Sequence, residues 1–538
     1  MTAVHPNPPT RPTKGTAVKL ERNVFGILDR SARAHYGNEP AFGFEGRSVT
    51  FAELRDRAQQ VARGLVDHGV RPGDRVAVMM GNRLEWLEVF FGLAAMGAVC
   101  VPINVLLTAP EIAHVCEDSG STVLVMDEIA TASATKLTQS FEFVVTVGDA
   151  TAMQGVAAFD YETMLTNACP NTVLDGPALD DTFILYYSSG TTGLPKAAEH
   201  THDGVLWNAT GQIAGLGLTR DVRYAVIPSF SWAAGLHNLV MALIWVGGYS
   251  EIRRTGGTTT DQLTELIERD RITHIMLVPS LLRAFITRPD LLERLTNSTL
   301  EWIVTGSEPV PRSVIERCVS GMPGVAVCQG YGLSEFPTIA TVLSAEEVVN
   351  HDGSAGRPLP HTDVSVQDSE GVIRTSGRGE LLIRSLATMR GYFNRPAQTE
   401  AAFRNGWLHT GDLADLDEDG YITIVGRTKD LIISGGLNVY PKEIEDLVQR
   451  LPGVQEVAVI GVPHDTFGET AVAVVVTADA DFDGQSVAEA CREQLASYKR
   501  PRSILIRREP LPRSANAKLL KRELRPWAMA ELGIAEES

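Results

Sequence analysis

Short apolar runs alternate with amphipathic stretches from Thr50 to about Gly426. RVAVMM, TVLVMD, FVVTVG, FILYY, HIMLVP, WIVTG and VAVCQ are apolar along their whole length, which is typical of strands covered by helices on both faces. Segments such as Arg83–Met96 and Arg312–Val319 have helical spacing and lie between these runs. The alternation predicts an α/β fold with βαβ units around largely parallel sheets, where ligands bind at the carboxyl ends of strands.

The pattern changes after Gly420, where YITIV, DLIIS, VQEVAVIGV and TAVAVVVT alternate with turns. Two amphipathic helices are predicted among them, at Pro441–Arg450 and Gly484–Ala496. We therefore expect a disordered tail at residues 1–20, a large N-terminal domain at 21–428 and a small α+β domain at 429–538. The short polar segment GRTKD between the two domains is a candidate hinge.

The amino-acid composition disfavours several classes of binding partner and cofactor. The formal net charge of -18 argues against nucleic acid or an anionic membrane as the main partner, because both select basic patches. The six cysteines form no CxxC pair, which disfavours metal clusters and disulfide frameworks and favours a reducing cytoplasm. The Pro-rich start lacks the apolar run of a signal peptide. The most membrane-like stretch, Trp86–Leu107, is interrupted by Glu88, Pro102 and Asn104, which favours a buried helix and strand over a membrane span.

The strongest chemical signal is the segment Tyr187–Lys196, YSSGTTGLPK, directly after a predicted strand. Its glycines allow close approach of a ligand, its hydroxyls offer donors to phosphate oxygens, and Lys196 adds a positive charge. The spacing differs from that of a Walker A loop. A plain surface turn would need neither this density of hydroxyls nor a terminal lysine, so we predict phosphate binding.

This segment resembles the phosphate-binding loop of the adenylate-forming superfamily, which includes acyl-CoA synthetases (AMP-dependent acid–CoA ligases), adenylation domains and luciferases. The resemblance extends from TFAEL at residue 50 to Leu524, with later motifs in family order. It implies a mobile C-terminal domain that rotates about a hinge at Lys429. It also implies that ATP or AMP is bound by Ser188, Ser189, Gly190, Thr191, Thr192, Gly193 and Lys196, with Thr192 also catalytic.

Two further motifs resemble the nucleotide pocket of that superfamily. EWIVTGSEP, with Gly306, Ser307 and Glu308, is similar to the strand and turn beside the adenine. QGYGLSE resembles the segment that stacks adenine and holds Mg2+; its matching residues are Gln329, Gly330, Tyr331, Gly332, Ser334 and Glu335. Glu335 is the implied metal ligand, which agrees with the preference of Mg2+ for one or two carboxylates plus phosphate oxygens. Taken alone, QGYGLSE would more often be a capped helix start.

Asp412, in GWLHTGD, matches the aspartate that binds the ribose hydroxyls, and a carboxylate can accept both hydrogen bonds of a diol. Arg427 resembles the arginine that contacts ribose or phosphate. SGGLNVYP, with Gly435 and Gly436, resembles the loop of the pantetheine tunnel, although a tight hairpin would explain the glycines equally well. LPRSANAK resembles the C-terminal catalytic loop, which makes Lys518 the implied catalytic lysine at the α-phosphate.

The resemblance implies an acid–thiol ligase that forms acyl-AMP with ATP and Mg2+ and then transfers the acyl group to coenzyme A. In PSFSW, Ser231 replaces the histidine common at the entrance of the acyl pocket, and Trp232 follows it. Ser231, Trp232 and Gly330 are the candidate acid-binding residues. With Ala233, Ala234 and Gly235, they suggest an apolar pocket for a bulky fatty, alicyclic or terpenoid-like acid, in fatty-acid or secondary metabolism.

Three other functions stay open at this stage. One is an acyl-AMP ligase that loads a carrier protein, and another is a non-catalytic nucleotide binder, which the retained Glu335, Asp412 and Lys518 oppose. The third is a partial enzyme with weak adenylation that takes acyl-AMP from an adenylating partner enzyme, because Ala197 and Ala517 replace glycines common in the family. A homodimer is also open.

Overall fold

The computed structural model describes residues 23–137, 141–151, 153–174, 176–188, 195–306, 310, 312–351, 353–513 and 519–534. Its strands are β1 (Pro40–Phe44), β2 (Arg47–Thr50), β3 (Arg75–Met79), β4 (Val99–Pro102), β5 (Val123–Met126), β6 (Phe143–Thr146), β7 (Ala157–Asp160), β8 (Thr182–Ser188), β9 (Lys196–Thr201), β10 (Arg223–Val226), β11 (Tyr249–Ile252), β12 (His274–Met276), β13 (Trp302–Gly306), β14 (Ala326–Leu333), β15 (Phe336–Leu343), β16 (Arg357–Pro358), β17 (Asp363–Gln367), β18 (Ile373–Arg374), β19 (Gly377–Arg384), β20 (Gly391–Tyr392), β21 (Phe403–Arg404), β22 (Trp407–Leu416), β23 (Ile422–Arg427), β24 (Ile432–Ser434), β25 (Leu437–Val439), β26 (Glu456–His464), β27 (Gly468–Val476) and β28 (Ser503–Arg507).

The helices lie between and around these strands. They are α1 (Val24–Arg33), α2 (Phe51–Asp67), α3 (Leu84–Met96), α4 (Ala109–Ser119), α5 (Thr131–Ala134), α6 (Tyr161–Asn167), α7 (His202–Leu216), α8 (Ala233–His237), α9 (Val240–Val246), α10 (Thr260–Arg269), α11 (Pro279–Ile286), α12 (Pro289–Thr296), α13 (Arg312–Gly321), α14 (Pro396–Ala402), α15 (Pro441–Val448), α16 (Gln485–Gln494) and α17 (Lys521–Glu531), with 3-10 turns at Thr428–Asp430 and Ser497–Lys499. The predicted helices at Arg83, Arg312, Pro441 and Gly484 are confirmed to within two residues.

In the described ranges the strands form four sheets. The first has the order β16-β15-β14-β13-β12-β10-β11-β1-β2 and the second the order β20-β9-β8-β4-β3-β5-β6-β7; both are parallel in their central strands. The third, β18-β17-β19-β22-β21 with β23 on β22, is antiparallel throughout. The fourth, β25-β24-β27-β26 with β28 on β27, belongs to the C-terminal part. The predicted α/β fold with a smaller α+β part is confirmed, and the antiparallel third sheet is an addition to it.

Helix α3 explains the membrane-like stretch of the sequence. All thirteen of its residues are buried, and β4 follows it inside the second sheet. The buried carboxylate of Glu88 accepts hydrogen bonds from Tyr161 and Arg57, which compensates for its removal from water. Among the described residues, no helix combines the length and the apolar character needed to cross a bilayer. The predicted buried helix and strand are therefore confirmed.

Buried histidines link the stability of this fold to pH. Burial lowers the pKa of His200, His274 and His361 to about 4 and that of His202 and His237 to about 3, from an ordinary value of 6.5. Between these values the unfolded chain binds more protons than the folded chain, so a fall in pH favours unfolding. Each histidine contributes up to about 1.4 kcal/mol per pH unit to this slope.

We expect the urea midpoint of unfolding to fall steadily from about pH 7 to about pH 4.5. The variant His202→Asn should flatten this slope, because asparagine can still accept the hydrogen bond from the Val24 N–H but does not titrate. His35→Asn, at an exposed histidine, is the matched control and should leave the slope unchanged. A slope that is the same in wild type and His202→Asn would contradict this account.

Candidate active site

A lysine and a tyrosine of the second sheet lie beside a glutamate of the first sheet, next to the predicted phosphate-binding segment. Ser188 and Lys196 are paired residues at the loop end of the antiparallel β8–β9 hairpin. The Lys196 Nζ lies 3.4 Å from the centroid of the Tyr392 ring. The Tyr392 hydroxyl donates a hydrogen bond of 2.8 Å to Oε1 of Glu335. The predicted phosphate-binding lysine and metal-binding carboxylate are thus neighbours of one aromatic ring.

The electrostatics of this group follow from burial. Burial lowers the pKa of Lys196, and the negative charge of Glu335 opposes that shift. Burial, reinforced by Glu335, raises the pKa of Tyr392, so the phenol stays protonated and acts as a donor. A cation over an aromatic face gains about 1 kcal/mol or more when partly desolvated. Lys196 is therefore held by a neutral ring, and its charge remains available to an anionic ligand.

The turn that carries Glu335 is fixed on both sides. A Cβ on Gly332 would lie 1.2 Å from the carbonyl oxygen of Thr338, so only glycine fits where the chain folds back on itself. The Glu335 carbonyl accepts from the Met389 N–H at 2.8 Å, and the Ser334 carbonyl lies 2.8 Å from Nε2 of His200. These contacts tie the turn to β9 and to the segment before β20.

A second group joins the first and third sheets. The Tyr331 hydroxyl donates to Oδ2 of Asp412 at 2.7 Å, and Nε of Arg427 lies 3.0 Å from Oδ1 of the same carboxylate. Asp412 and Arg427 are paired residues of β22 and β23, and Asp412 is only 5% exposed. Burial raises the pKa of Tyr331 well above its ordinary value, and the charge of Asp412 adds to the rise. Each carboxylate oxygen keeps a second acceptor position for a diol.

The predicted adenine-pocket segments lie on adjacent parallel strands. Gly306 pairs with Gly330, and Thr305 pairs with Gln329, where the carboxyl end of β13 lies beside the middle of β14. A Cβ on Gly306 would lie 2.4 Å from the Gly330 carbonyl oxygen, so the close approach requires glycine there. Gly330 differs, since a Cβ added there would make only ordinary van der Waals contacts, 3.6 Å to Val304 and 3.8 Å to Ile339. The missing side chain of Gly330 therefore leaves room between two apolar side chains.

Two of the predicted acid-binding residues, Ser231 and Trp232, lie in a turn that is held by Asn82, a residue distant in the sequence. Oγ of Ser231 is 2.8 Å from Oγ of Ser229, and the Phe230 N–H donates to Oδ1 of Asn82 at 2.7 Å. Trp232 follows as the N-cap of α8. Gly235, in contrast, lies against this turn: its Cβ would be 2.1 Å from the Ser229 carbonyl oxygen. The interpretation of Gly235 as pocket space is therefore wrong, because packing requires that glycine.

The two glycines of the predicted pantetheine loop lie at a hairpin turn of the fourth sheet. Gly435 and Gly436 form the turn between β24 and β25, with φ of 59° and 80°, values that favour glycine. Lys429 lies in the 3-10 turn between β23 and β24, and burial lowers its pKa. Eight predicted site residues lie outside the described ranges: Ser189, Gly190, Thr191, Thr192, Gly193, Ser307, Glu308 and Lys518.

Sequence reasoning missed Tyr392 and Asn82. Tyr392 lies in MRGYFNRP, where a single aromatic residue carries no recognisable chemistry, and it contacts Glu335 only through the fold. Asn82 precedes α3 and uses its amide to bind both Phe230 and the carbonyl of Pro228, at 2.7 and 3.0 Å. An asparagine at a strand-to-helix turn is a weak signal, since such residues usually cap helices.

The chain is similar to known enzymes along most of its length. Residues 28–393 match the AMP-binding enzyme family, and residues 443–518 match the AMP-binding enzyme C-terminal domain. The long-chain-fatty-acid–CoA ligase FadD13 of Mycobacterium tuberculosis is 36% identical over 486 residues, covering 89% of this chain and 92% of that protein. The feruloyl-CoA synthase of an Amycolatopsis species is 35% identical over 488 residues, covering 89% and 94%.

Solved structures agree with these sequence relatives. The O-succinylbenzoate coenzyme A synthetase of Bacillus subtilis, in complex with ATP and magnesium ion, superposes with a TM-score of 0.79 at 28% identity, covering 93% of this chain and 98% of that one. The predicted class of enzyme, an acid–thiol ligase, is confirmed by the named relatives. The chain therefore belongs to the AMP-binding enzymes, the adenylate-forming superfamily that contains the acyl-CoA ligases.

Proposed function

We propose that this protein activates a bulky, hydrophobic carboxylic acid as acyl-AMP, using ATP and Mg2+, and then transfers the acyl group to coenzyme A. The observation that carries the proposal is that Tyr392 contacts Lys196 through its ring face and Glu335 through its hydroxyl, at the loop end of the β8–β9 hairpin. One charge of each sign beside a phosphate-binding segment suits a nucleoside triphosphate with its metal ion.

The residues present fit Mg2+. Glu335 is the one carboxylate of the Lys196 group, and the described residues contain no cluster of three or more protein ligands. This agrees with Mg2+ bound through one protein carboxylate and substrate phosphate oxygens. When bound, the ion neutralises part of the negative charge of the phosphates. The Tyr392 hydroxyl orients Glu335 for that role, and Lys196 binds phosphate oxygens directly.

The first half-reaction is attack of the acid carboxylate on the α-phosphate, which releases pyrophosphate. Catalysis consists of positioning and charge neutralisation. In this proposal Ser188, Lys196 and the residues between them hold the phosphates, and Asp412 with Arg427 binds the ribose. Lys518 neutralises the charge that develops at the α-phosphate. The acyl-AMP that forms is a mixed anhydride with a good leaving group.

In the second half-reaction the thiol of coenzyme A attacks the acyl carbonyl, and AMP leaves. We propose that the C-terminal domain rotates between the two steps about Lys429, which removes Lys518 and brings Gly435 and Gly436 to the acyl group. The 3-10 turn Thr428–Asp430 is the short connection between the third and fourth sheets, which suits a hinge. Bare backbone at the two glycines leaves space for a slender pantetheine arm.

The proposal of a bulky, hydrophobic acid rests on the surroundings of Gly330. The space there lies between Val304 and Ile339, and small Ala233 follows Trp232 at the start of α8. Apolar walls with room at a glycine suit a substrate that is wide and mostly hydrocarbon.

The alternative of a partial enzyme loses one of its arguments. Ala197 is a buried strand residue paired with Tyr187, and it is absent from the residues with positive φ among those described. Alanine is therefore unstrained at this position, and it gives no reason for weak adenylation. Ala517 lies outside the described residues. Complete catalysis by this chain, without an adenylating partner enzyme, is the function we favour.

The variant Lys518→Ala should reduce acyl-AMP formation by about a hundredfold or more, because charge at the α-phosphate is no longer neutralised. Thioester formation from supplied acyl-AMP should stay within about threefold of wild type. Pyrophosphate release and mass detection of acyl-CoA measure the two half-reactions. Lys521→Ala is the control, since Lys521 pairs with Glu445 at 2.6 Å. Equal losses in both half-reactions would refute the assignment of Lys518.

The variant Gly436→Leu should block transfer to coenzyme A while acyl-AMP still forms, because a side chain then occupies the proposed thiol path. The variant Gly533→Leu is the control for backbone strain. Gly533 belongs to the same domain, has φ of 66°, and has open surroundings. Assays with coenzyme A and with a phosphopantetheinylated carrier protein distinguish the two acceptors. Normal KM and kcat for coenzyme A in Gly436→Leu would disprove the role of this loop.

The variant Tyr392→Phe should raise the Mg2+ concentration for half-maximal adenylation by about three- to tenfold, because Glu335 loses the donor that orients it. Titration of Mg2+ at saturating ATP measures this change. Tyr421→Phe is the matched control, because the Tyr421 hydroxyl donates to Glu347, at 2.5 Å, outside the site. An unchanged Mg2+ requirement in Tyr392→Phe would show that the hydrogen bond has no such role.

A further inference from the structure

A cluster of buried polar side chains lies behind the candidate site. Tyr186, His200, His237 and Asn238 are 3%, 0%, 1% and 2% exposed. The Tyr186 ring centroid is 5.5 Å from that of His237 and 6.1 Å from that of His200. Among the described residues, no partner exists for the Tyr186 hydroxyl, Nδ1 of His200, either ring nitrogen of His237, or Oδ1 of Asn238. We call these four residues the polar floor.

Such a concentration of unpaired polar atoms is unusual in a protein interior. Most buried polar atoms have a hydrogen-bond partner, and each one left without a partner destabilises the folded state. The backbone carbonyl of His237 does have a partner, since it accepts from Nε2 of Gln212 at 2.5 Å. Among the described residues, the amide nitrogen of Asn238 donates only to the sulfur of Met276, at 2.8 Å, which is a weak acceptor. The groups without a partner are thus the polar ends of side chains.

The elements that carry the polar floor also carry the site. Tyr186 lies on β8, two residues before Ser188, and His200 lies on β9 with its Nε2 on the Ser334 carbonyl, next to Glu335. His237 ends α8, the helix that Trp232 begins. The polar floor is therefore bounded by the phosphate hairpin, the turn of Glu335 and the acid-binding turn.

One face of α8 connects the acid-binding turn to the polar floor. Ala233 and His237 are four residues apart, so they share a helix face, and Ala234 is three residues from His237. The side chains of Ala233 and Ala234 are single methyl groups. Helix α8 also packs on β15, the strand that follows Glu335. An acyl chain that enters beside Trp232 and follows this face would end at His237.

The chemistry of the polar floor selects an uncharged polar group. Burial lowers the pKa of His200 to about 4 and that of His237 to about 3, so both imidazoles are neutral near pH 7. In the described part of the chain, the pKa of His237 responds only to burial and to His200, and no lysine or arginine contributes. A neutral imidazole offers one donor and one acceptor, and the phenol offers both. A hydroxyl group uses donors and acceptors together, whereas a charged group would lack a counter-ion.

We infer that the acyl pocket ends at the polar floor and that the preferred acid carries a hydroxyl group at the far end of an otherwise apolar skeleton, bound by His237 and Tyr186. This inference rests on the proposed acyl-CoA synthetase activity and names its class of substrate. It refines the hydrophobic acid of that proposal, since the walls near Gly330 stay apolar and only the end of the pocket is polar.

The test uses pairs of acids that differ by one hydroxyl: ω-hydroxydodecanoic and dodecanoic acid, and hydroxylated and unsubstituted decalin carboxylic acids. Acyl-CoA formation gives kcat/KM for each acid. We expect at least one hydroxylated acid to exceed its partner by about tenfold or more. His237→Leu should remove this preference, mainly by improving turnover of the unsubstituted acid, and Tyr186→Phe should reduce it.

His202→Leu is the matched control: it replaces another buried histidine of low pKa, which lies beside Phe183 and outside the polar floor. It should lower the thermal midpoint but leave the preference unchanged. Binding of the paired acyl sulfamoyl adenosines, measured by calorimetry, gives the preference independently of turnover. It also keeps the test valid if a variant turns over slowly.

Each result decides between the two proposals. Turnover without preference for any hydroxylated acid, or a preference that His237→Leu retains, overturns the inference and leaves the acyl-CoA synthetase proposal standing. A His237→Leu variant that is more stable and equally selective also overturns it, since the polar floor would then be merely hydrated. Absence of turnover with every acid, together with absence of binding of every acyl sulfamoyl adenosine, refutes the proposed function and the inference with it.

Discussion

The site depends on the separation of two opposite charges by one aromatic ring. Lys196 lies over the face of Tyr392, while the hydroxyl of that ring holds Glu335. Among the described contacts, Lys196 and Glu335 form no direct ion pair. A direct salt bridge would neutralise both charges and close the space between them. The neutral phenol keeps each charge oriented and available.

The Tyr392 arrangement requires three strands to meet. β9 supplies Lys196, β20 supplies Tyr392 and pairs with β9, and the turn after β14 supplies Glu335. The group of Tyr331, Asp412 and Arg427 then attaches the antiparallel third sheet to the same turn. The third sheet has a small buried core of its own, formed by Val366, Leu381, Ala414, Leu416 and Ile422. Its position beside the candidate site therefore depends on the buried carboxylate of Asp412 as well as on apolar packing.

Much of this could be predicted from the sequence, because the relevant signals are local. Apolar runs predicted the strands, and the motifs identified Lys196, Glu335 and Asp412 as candidate site residues. Other features required the fold itself. The contact of Tyr392 with Glu335, and the requirement for glycine at positions 235 and 332, arise from residues that approach in space without a periodic pattern. The polar floor could not be predicted from the sequence for the same reason. In the sequence, Tyr186, His200 and His237 resemble ordinary core residues of β8, β9 and α8.

The sequence distances across the site have a consequence for how the chain acquires function during folding. Glu335 and Tyr392 are 57 residues apart, and Tyr331 and Asp412 are 81 apart. Contacts between such distant residues form late, because the loop between them must first be ordered. A nascent or partly folded chain therefore lacks a complete candidate site, even when β8 and β9 have paired. Under the proposed function, ATP binds only the finished site, so it stabilises the native state by mass action. The substrate nucleotide is then also a selective stabiliser of completely folded molecules.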